Sequence, residues 1–300
     1  MNKKFVKTLI WGIVVLIILI IGYSAYQNVF IEKSSNKDEI SYDSNKKDES
    51  KKSMKSTQVK AIKNRNFTGN VIDNKNSVPV LMYHSIDYEK GNELRIPKDK
   101  FREQMQYLKD NGYTTITVSE LYDFLKNNKP VPKKSVVITF DDGYEDNYIN
   151  AYPVLKEFGF KATIFVVTST VDKDSNYLTS SELKEMSKNG IDIESHTVNH
   201  DKLSQLSYEM QLNTLKESKI FLENVLGKKI YYIAYPYGDW NDNTVKAVES
   251  CGYKLAFTTE SGWANKDQGI YKLHRVYISN NHDMKEFQRR LTDSSYYEDN

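Results

Sequence analysis

Ser135-Val136-Val137-Ile138-Thr139-Phe140-Asp141-Asp142-Gly143 is the stretch on which the reading of this chain turns. Its first six residues, rich in β-branched side chains, read as a strand buried on both faces. The run stops at two carboxylates and a glycine. Adjacent carboxylates at the mouth of an apolar strand cost desolvation and repel each other unless a cation or a proton is shared. An Asp-Gly turn with one Asp capping the next helix explains the same residues without chemistry. Outward from here, short apolar runs recur at Val78 to Tyr83, Thr114 to Thr117, Ala162 to Val167, Ile191 to Ser195, Tyr231 to Tyr235, Lys254 to Thr258 and Leu273 to Ile278. Amphipathic stretches separate them: Lys98 to Asp110, Ser119 to Asn127, Asn147 to Phe158, Thr179 to Lys188, Ser207 to Leu226 and Asp242 to Ser250. Ser119 and Ser207 read as helix caps. About seven β-α units predict an α/β fold, either a parallel barrel or a doubly wound sheet. In both, chemistry belongs at the C-terminal ends of the strands.

Composition narrows the class. The 300 residues carry 42 Lys and Arg against 40 Asp and Glu, a net +2 that offers no basic field for nucleic acid. A single cysteine, Cys251, excludes an intramolecular disulfide and a cysteine-based zinc site. A mean hydropathy of −0.63 beside 39% hydrophobic residues signals one very polar stretch. That stretch is Glu32 to about Gln58, which has almost no large apolar residue and reads as a flexible stalk spanning residues 31–75. Before it, residues 1–30 hold an apolar run from Leu9 to Gly22 behind Lys3, Lys4 and Lys7. Length and charge predict an uncleaved transmembrane signal-anchor in the cell membrane, with everything downstream extracellular. Secretion after signal cleavage is the alternative, although Ser24-Ala25-Tyr26-Gln27 is a poor cleavage match. Residues 76–300 are then the catalytic domain.

Two further strand ends carry ionisable or turn-forming residues. In His196-Thr197-Val198-Asn199-His200 two histidines four apart are expected on one face of a helical turn, a spacing that suits one metal ion. On an ordinary surface helix such a pair has no function. Two imidazoles with one carboxylate of the Asp pair make a three-ligand site with open positions, leaving the other carboxylate as a general base. Ala234-Tyr235-Pro236-Tyr237-Gly238 offers a sharp turn, an N–H for an oxyanion and an aromatic wall for a sugar ring.

Thr139-Phe140-Asp141-Asp142-Gly143, His196-Thr197-Val198-Asn199-His200 and Tyr235-Pro236-Tyr237-Gly238, in this order, resemble the motifs of the polysaccharide deacetylases, carbohydrate esterase family 4, over roughly Val78 to Ile278. The resemblance implies a distorted (β/α) barrel of about seven parallel strands and metal-dependent hydrolysis of N-acetyl groups on amino sugars. On that pattern Asp141 matches the general base. Asp142, His196 and His200 match the ligands of one divalent metal, zinc first, with cobalt or nickel as substitutes. Tyr237 matches the residue whose main-chain N–H stabilises the oxyanion, with Tyr235, Pro236 and Trp240 beside the substrate.

The sequence departs from the family pattern twice. An Arg that often steadies the base two residues before the motif proline is here Ala234, with Arg275 the candidate replacement. The late Leu-x-His motif that usually supplies the general acid has no clean counterpart, since Leu273-His274-Arg275 is out of register. Leu81-Met82-Tyr83-His84 instead resembles the branch acting on poly-N-acetylglucosamine exopolysaccharide, where an early histidine is the acid. His84 is therefore expected as the acid in place of His274. Tyr144, Tyr235, Tyr237, Trp240 and Trp263 are candidates for stacking on sugars, His282 is expected only near a helix start, and the tail after Phe287 is expected to fray.

The expected function is N-deacetylation of a cell-surface polymer, poly-N-acetylglucosamine first and peptidoglycan next. O-acetyl esterase activity, or non-catalytic glycan binding on the same fold, are the alternatives. Expected partners are the N-acetylated polysaccharide and, through the N-terminal helix, the membrane. Neither nucleic acid nor an obligate protein partner is expected.

Overall fold

The computed structural model describes residues 64–298. The anchor expected at residues 1–30 and most of the expected stalk lie outside the described residues. Ten strands are described: β1 (Val71–Ile72), β2 (Val80–Tyr83), β3 (Thr114–Thr115), β4 (Val131–Pro132), β5 (Ser135–Phe140), β6 (Thr163–Val166), β7 (Asp192–Ser195), β8 (Tyr232–Ala234), β9 (Leu255–Ser261) and β10 (Leu273–Tyr277). Seven close a parallel barrel in the order β2-β10-β9-β8-β7-β6-β5, with β5 pairing back onto β2 from Val80↔Val137 to Tyr83↔Phe140. Of the two architectures the sequence allows, the structure is the barrel. Strand β3 lies beside the start of β5, and β1 pairs antiparallel with β4. Seven α-helices among the described residues accompany the strands: α1 (Lys98–Asp110), α2 (Val118–Asn127), α3 (Tyr152–Phe158), α4 (Ser180–Lys188), α5 (Tyr208–Leu226), α6 (Asp242–Ser250) and α7 (Met284–Thr292).

Alternation along β5 explains both why it is apolar throughout and where its end points. Val136, Ile138 and Phe140 pack in the cluster that includes helix residues such as Phe101 and Leu155. Val137 packs in a second cluster with Phe165, Tyr232, Phe257 and Leu273, the barrel interior. The period of two therefore aims Thr139 and Asp141 inward, above Val137. On β10 the same rule sends Leu273 and Arg275 inward and His274 outward.

Two expectations about the ends of the domain are corrected. The stalk reaching residue 75 ends too late. Arg65 binds the Glu120 carboxylate at 2.9 and 2.7 Å and donates to the Thr115 carbonyl at 2.8 Å. Val71 and Ile72 are ladder residues. Glu120 also completes a capping box with Thr117, so Thr117 rather than Ser119 starts α2. Ser207 does cap α5, accepting from the Met210 N–H. Because Arg65 is half exposed, Arg65→Ala should cost about 1–2 kcal/mol, seen as a fall of a few degrees in Tm.

The C-terminal tail does not fray through its described length. Tyr296 is buried, its hydroxyl accepts from the Gly262 N–H at 3.2 Å, and Arg290 lies 4.8 Å from its ring centroid.

Glu194 in β7 is buried and accepts the N–H groups of Tyr231 and Tyr232 at 2.9 and 2.8 Å. Burial pushes its carboxyl up to about 7. Folding therefore takes up a proton between the unfolded value near 4.3 and about 7, and stability drains away as pH rises through that window. Glu194→Gln keeps an acceptor without the charge. Its Tm relative to wild type should improve from pH 5 to about pH 7 and level off above that. A constant offset across that range would contradict the reading.

Candidate active site

The end of β5 turns sharply. Asp142 (φ 73°) and Gly143 (φ 81°) are both left-handed, and a Cβ on Gly143 would lie 3.3 Å from Val166. Two consecutive residues in this region reverse the chain, sending Asp141 into the barrel and Asp142 to its rim.

Asp141 is 2% exposed and held by Arg275 in a two-pronged pair, Nη1 to Oδ1 at 2.7 Å and Nη2 to Oδ2 at 2.6 Å. Arg275 is itself fully buried and donates further to the Thr258 carbonyl at 2.9 Å and the Thr139 hydroxyl at 3.3 Å. Burial pushes the Asp141 carboxyl up, and the Arg275 guanidinium outweighs it, so the group stays below the usual carboxylate range. Thus Arg275, from a different strand, pairs with the carboxylate that an arginine at position 234 was expected to steady.

His196 is buried, and its Nδ1 lies 2.8 Å from the Ala234 carbonyl. A carbonyl only accepts, so Nδ1 carries the proton and Nε2 keeps its lone pair. That Nε2 lies 3.4 Å from Asp142 Oδ1, and His200 Nε2 lies 3.2 Å from the same oxygen. The expected helical turn between the histidines is absent. Thr197 (φ 67°) and His200 (φ 61°) are left-handed, and the Thr197 hydroxyl accepts from the His200 N–H at 3.2 Å. An irregular loop, not helical spacing, brings the rings together.

Asp142, His196 and His200 are the residues that fit a cation. Asp142 Oδ1 is buried with no hydrogen-bond partner, and the two Nε2 atoms lie 3.4 and 3.2 Å from it. Ligand atoms on a tetrahedral ion at 2.0–2.1 Å sit about 3.3 Å apart, which matches the separation of Asp142 Oδ1 from each of the two Nε2 atoms. Among the described residues this is the one cluster of three such groups.

Around it, Tyr237 (φ 59°) is 58% exposed with its ring 4.5 Å from that of His200. Pro236 before it is buried, and a Cβ on Gly238 after it would lie 2.2 Å from Thr259, so only glycine fits the turn. Tyr144 stacks on Tyr177 at 5.1 Å with its hydroxyl toward Asp142. His84, just past the end of β2, has Asp141, Asp142 and Arg275 as its charged neighbours, with the His196 ring also near. Burial lowers its imidazole below the ordinary value, with the two aspartates opposing.

Other sequence candidates lie elsewhere. Tyr235 is fully buried and donates its hydroxyl to the Tyr271 carbonyl at 3.0 Å, so it is core rather than a sugar wall. Trp263 is tied to the Arg290 carbonyl at 2.8 Å, on α7. Trp240 is half-buried, with the Lys272 ammonium 5.2 Å from its ring. His274, facing outward, pairs with Glu260 at 2.9 Å. His282 contacts Arg290 and the Ser279 N–H just before α7. What sequence reasoning missed is the Ala234 carbonyl, which fixes the His196 tautomer. It is main chain and leaves no side-chain signal.

The family profile described as polysaccharide deacetylase matches residues 128–256. The provisionally named polysaccharide deacetylase YxkH of Bacillus subtilis is 46% identical over 202 residues, 67% of this chain and 71% of that one. A poly-β-1,6-N-acetyl-D-glucosamine N-deacetylase of Staphylococcus aureus is 32% identical over 197 residues, 61% of this chain and 68% of that one. The solved Streptococcus pyogenes deacetylase PplD in complex with acetate superposes with a TM-score of 0.69 at 36% identity, over 72% of this chain and 98% of that one. Relatives this similar over most of their length, together with the shared barrel, establish that this chain belongs to the polysaccharide deacetylase family, the hydrolases of carbohydrate esterase family 4.

Proposed function

We propose that this deacetylase removes N-acetyl groups from an amino-sugar polysaccharide outside the cell, with poly-N-acetylglucosamine the favoured polymer and peptidoglycan next. The observation that carries the reading is a buried, Arg-held carboxylate, Asp141, directly beside the donor set of Asp142, His196 and His200. The name of the Staphylococcus aureus relative and the early histidine His84 favour the first polymer. The signal-anchor reading of residues 1–30 places the domain outside the membrane.

A divalent ion on Asp142, His196 and His200, zinc most readily with two imidazoles and a carboxylate, would supply Lewis acidity and a more acidic water. The chain's own residues do the rest. Arg275 keeps Asp141 ionised, ready to take a proton from the attacking water. The Tyr237 N–H, presented by the left-handed turn, faces the developing oxyanion. His84 delivers a proton to the departing sugar amine, which cannot leave as an anion. Exposed Tyr237 offers a face to the pyranose ring beside the reacting group.

Acetate release from poly-N-acetylglucosamine oligomers, chitin oligomers, peptidoglycan and acetylxylan, compared side by side, tests the substrate class. The expected order places the first polymer on top. Preferential release from acetylxylan would make the chain an O-acetyl esterase, and no release from any of the four would leave only a glycan-binding role.

A further inference from the structure

The short loop after β2 that carries His84 is held by the helical segment that follows the Asp141-Asp142-Gly143 turn. Asn147 Nδ2 donates to the His84 carbonyl at 2.8 Å and to Asp146 Oδ1 at 3.0 Å. Asp146 Oδ1 accepts the Ile86 N–H at 2.7 Å, and its Oδ2 accepts the Ser85 hydroxyl at 2.6 Å. Asn150 Nδ2 donates to the Ile86 carbonyl at 2.9 Å. Four polar groups across three consecutive residues, His84 to Ile86, are therefore taken by three side chains within four residues of each other. The first turn here is π-helical, Asn147–Ala151, a rare geometry that tends to occur where side chains need unusual directions. Asn147 is 1% exposed, so its bond to the His84 carbonyl is not shared with bulk water.

The imidazole itself has no such hold. His84 Nδ1 is buried without a hydrogen-bond partner. A histidine that must donate a proton to one particular atom is commonly aimed by a carboxylate on its second nitrogen. Here the aiming has to come through the main chain.

We propose that Asp146 and Asn147 are positioning residues for the proton donor. By fixing the backbone of His84 to Ile86 against the segment that carries Asp141 and Asp142, they set the distance between the acid on one strand end and the base on the next. The inference rests on the reading of His84 as the acid. A donor displaced by about 1 Å loses on the order of 100-fold in rate while leaving the other groups in place.

The experiment compares two substrates in the full-length chain: an N-acetylglucosamine oligomer, whose amine must be protonated to leave, and p-nitrophenyl acetate, whose phenolate leaves unaided. Asn147→Ala should lower kcat on the oligomer about 10- to 100-fold and lower aryl-ester hydrolysis far less. Adding Asn147→Ala to His84→Ala should cost little more than His84→Ala alone, because the clamp acts only through that ring. Ser85→Ala, which removes one Asp146 bond with little risk to folding, should shift the same amide-to-ester ratio by a smaller factor. Equal losses on both substrates, or additive losses in the double variant, would overturn the proposal and make the clamp merely structural. If His84→Ala alone keeps full activity on the oligomer, it is the acid assignment that fails.

Discussion

Arg275→Met should destabilise the protein strongly and move its pH profile upward. The substitution removes both prongs from a carboxylate that is 2% exposed, leaving a buried charge with no cation partner. Breaking such a pair from one side costs about 3–5 kcal/mol, on the order of 10 °C in Tm for a domain of this size. The sign of the pH effect follows from the pair. In the wild type Arg275 holds Asp141 below its usual value, so its stabilisation is present above the unfolded pKa near 3.9 and is lost as pH falls through the lower folded one. The gap between wild type and variant should therefore be widest near neutrality and close in acid. With Arg275 gone, burial is the dominant influence and raises the Asp141 pKa, so the acid limb of kcat/KM should move to higher pH. Converting the partner as well, in Arg275→Met/Asp141→Asn, should return much of the stability and none of the activity. An unchanged melt and pH profile would show that Arg275 does not hold the base.

Asp141→Asn should separate metal binding from catalysis. The residue lies outside the Asp142, His196 and His200 cluster, so zinc affinity measured by titration calorimetry should stay within a few-fold of wild type. Asparagine cannot take the proton, and loss of a general base removes about 100- to 10,000-fold in rate. Some stability is also lost, since asparagine offers buried Arg275 one neutral acceptor in place of two charged oxygens, beside its bonds to Thr258 and Thr139. A variant that binds zinc and still releases acetate at the wild-type rate would remove Asp141 from the mechanism.

How much of this was readable from the chain depends on whether a side chain or the backbone carries the information. The six residues of β5 and the full extents of α1 and α6 were legible because periodicity and β-branching are side-chain properties. The donor set was legible as residue types. The way His196 and His200 meet was not, because left-handed Thr197 and His200 have no sequence signature. Arg275 could be suspected only because Ala234 stood where an arginine was expected; its reach across to Asp141 depends on strand order. Tyr235 failed as a sugar-facing candidate because an aromatic residue after a strand serves a core as well as a cleft. Arg65 was hidden in a polar stretch whose composition resembles a tether, and only its pairing with buried Glu120 marks it as part of the domain. Asn147 reads as the start of a helix, and nothing local indicated that it and the preceding Asp146 grip a loop some sixty residues earlier.

The most direct test of the account is acetate release from poly-N-acetylglucosamine oligomers by protein stripped of metal and then resupplied with zinc, cobalt or nickel. The account predicts negligible release after stripping, recovery on resupply, and no recovery in His200→Ala. Full release by the stripped protein, or recovery that persists in His200→Ala, would contradict it.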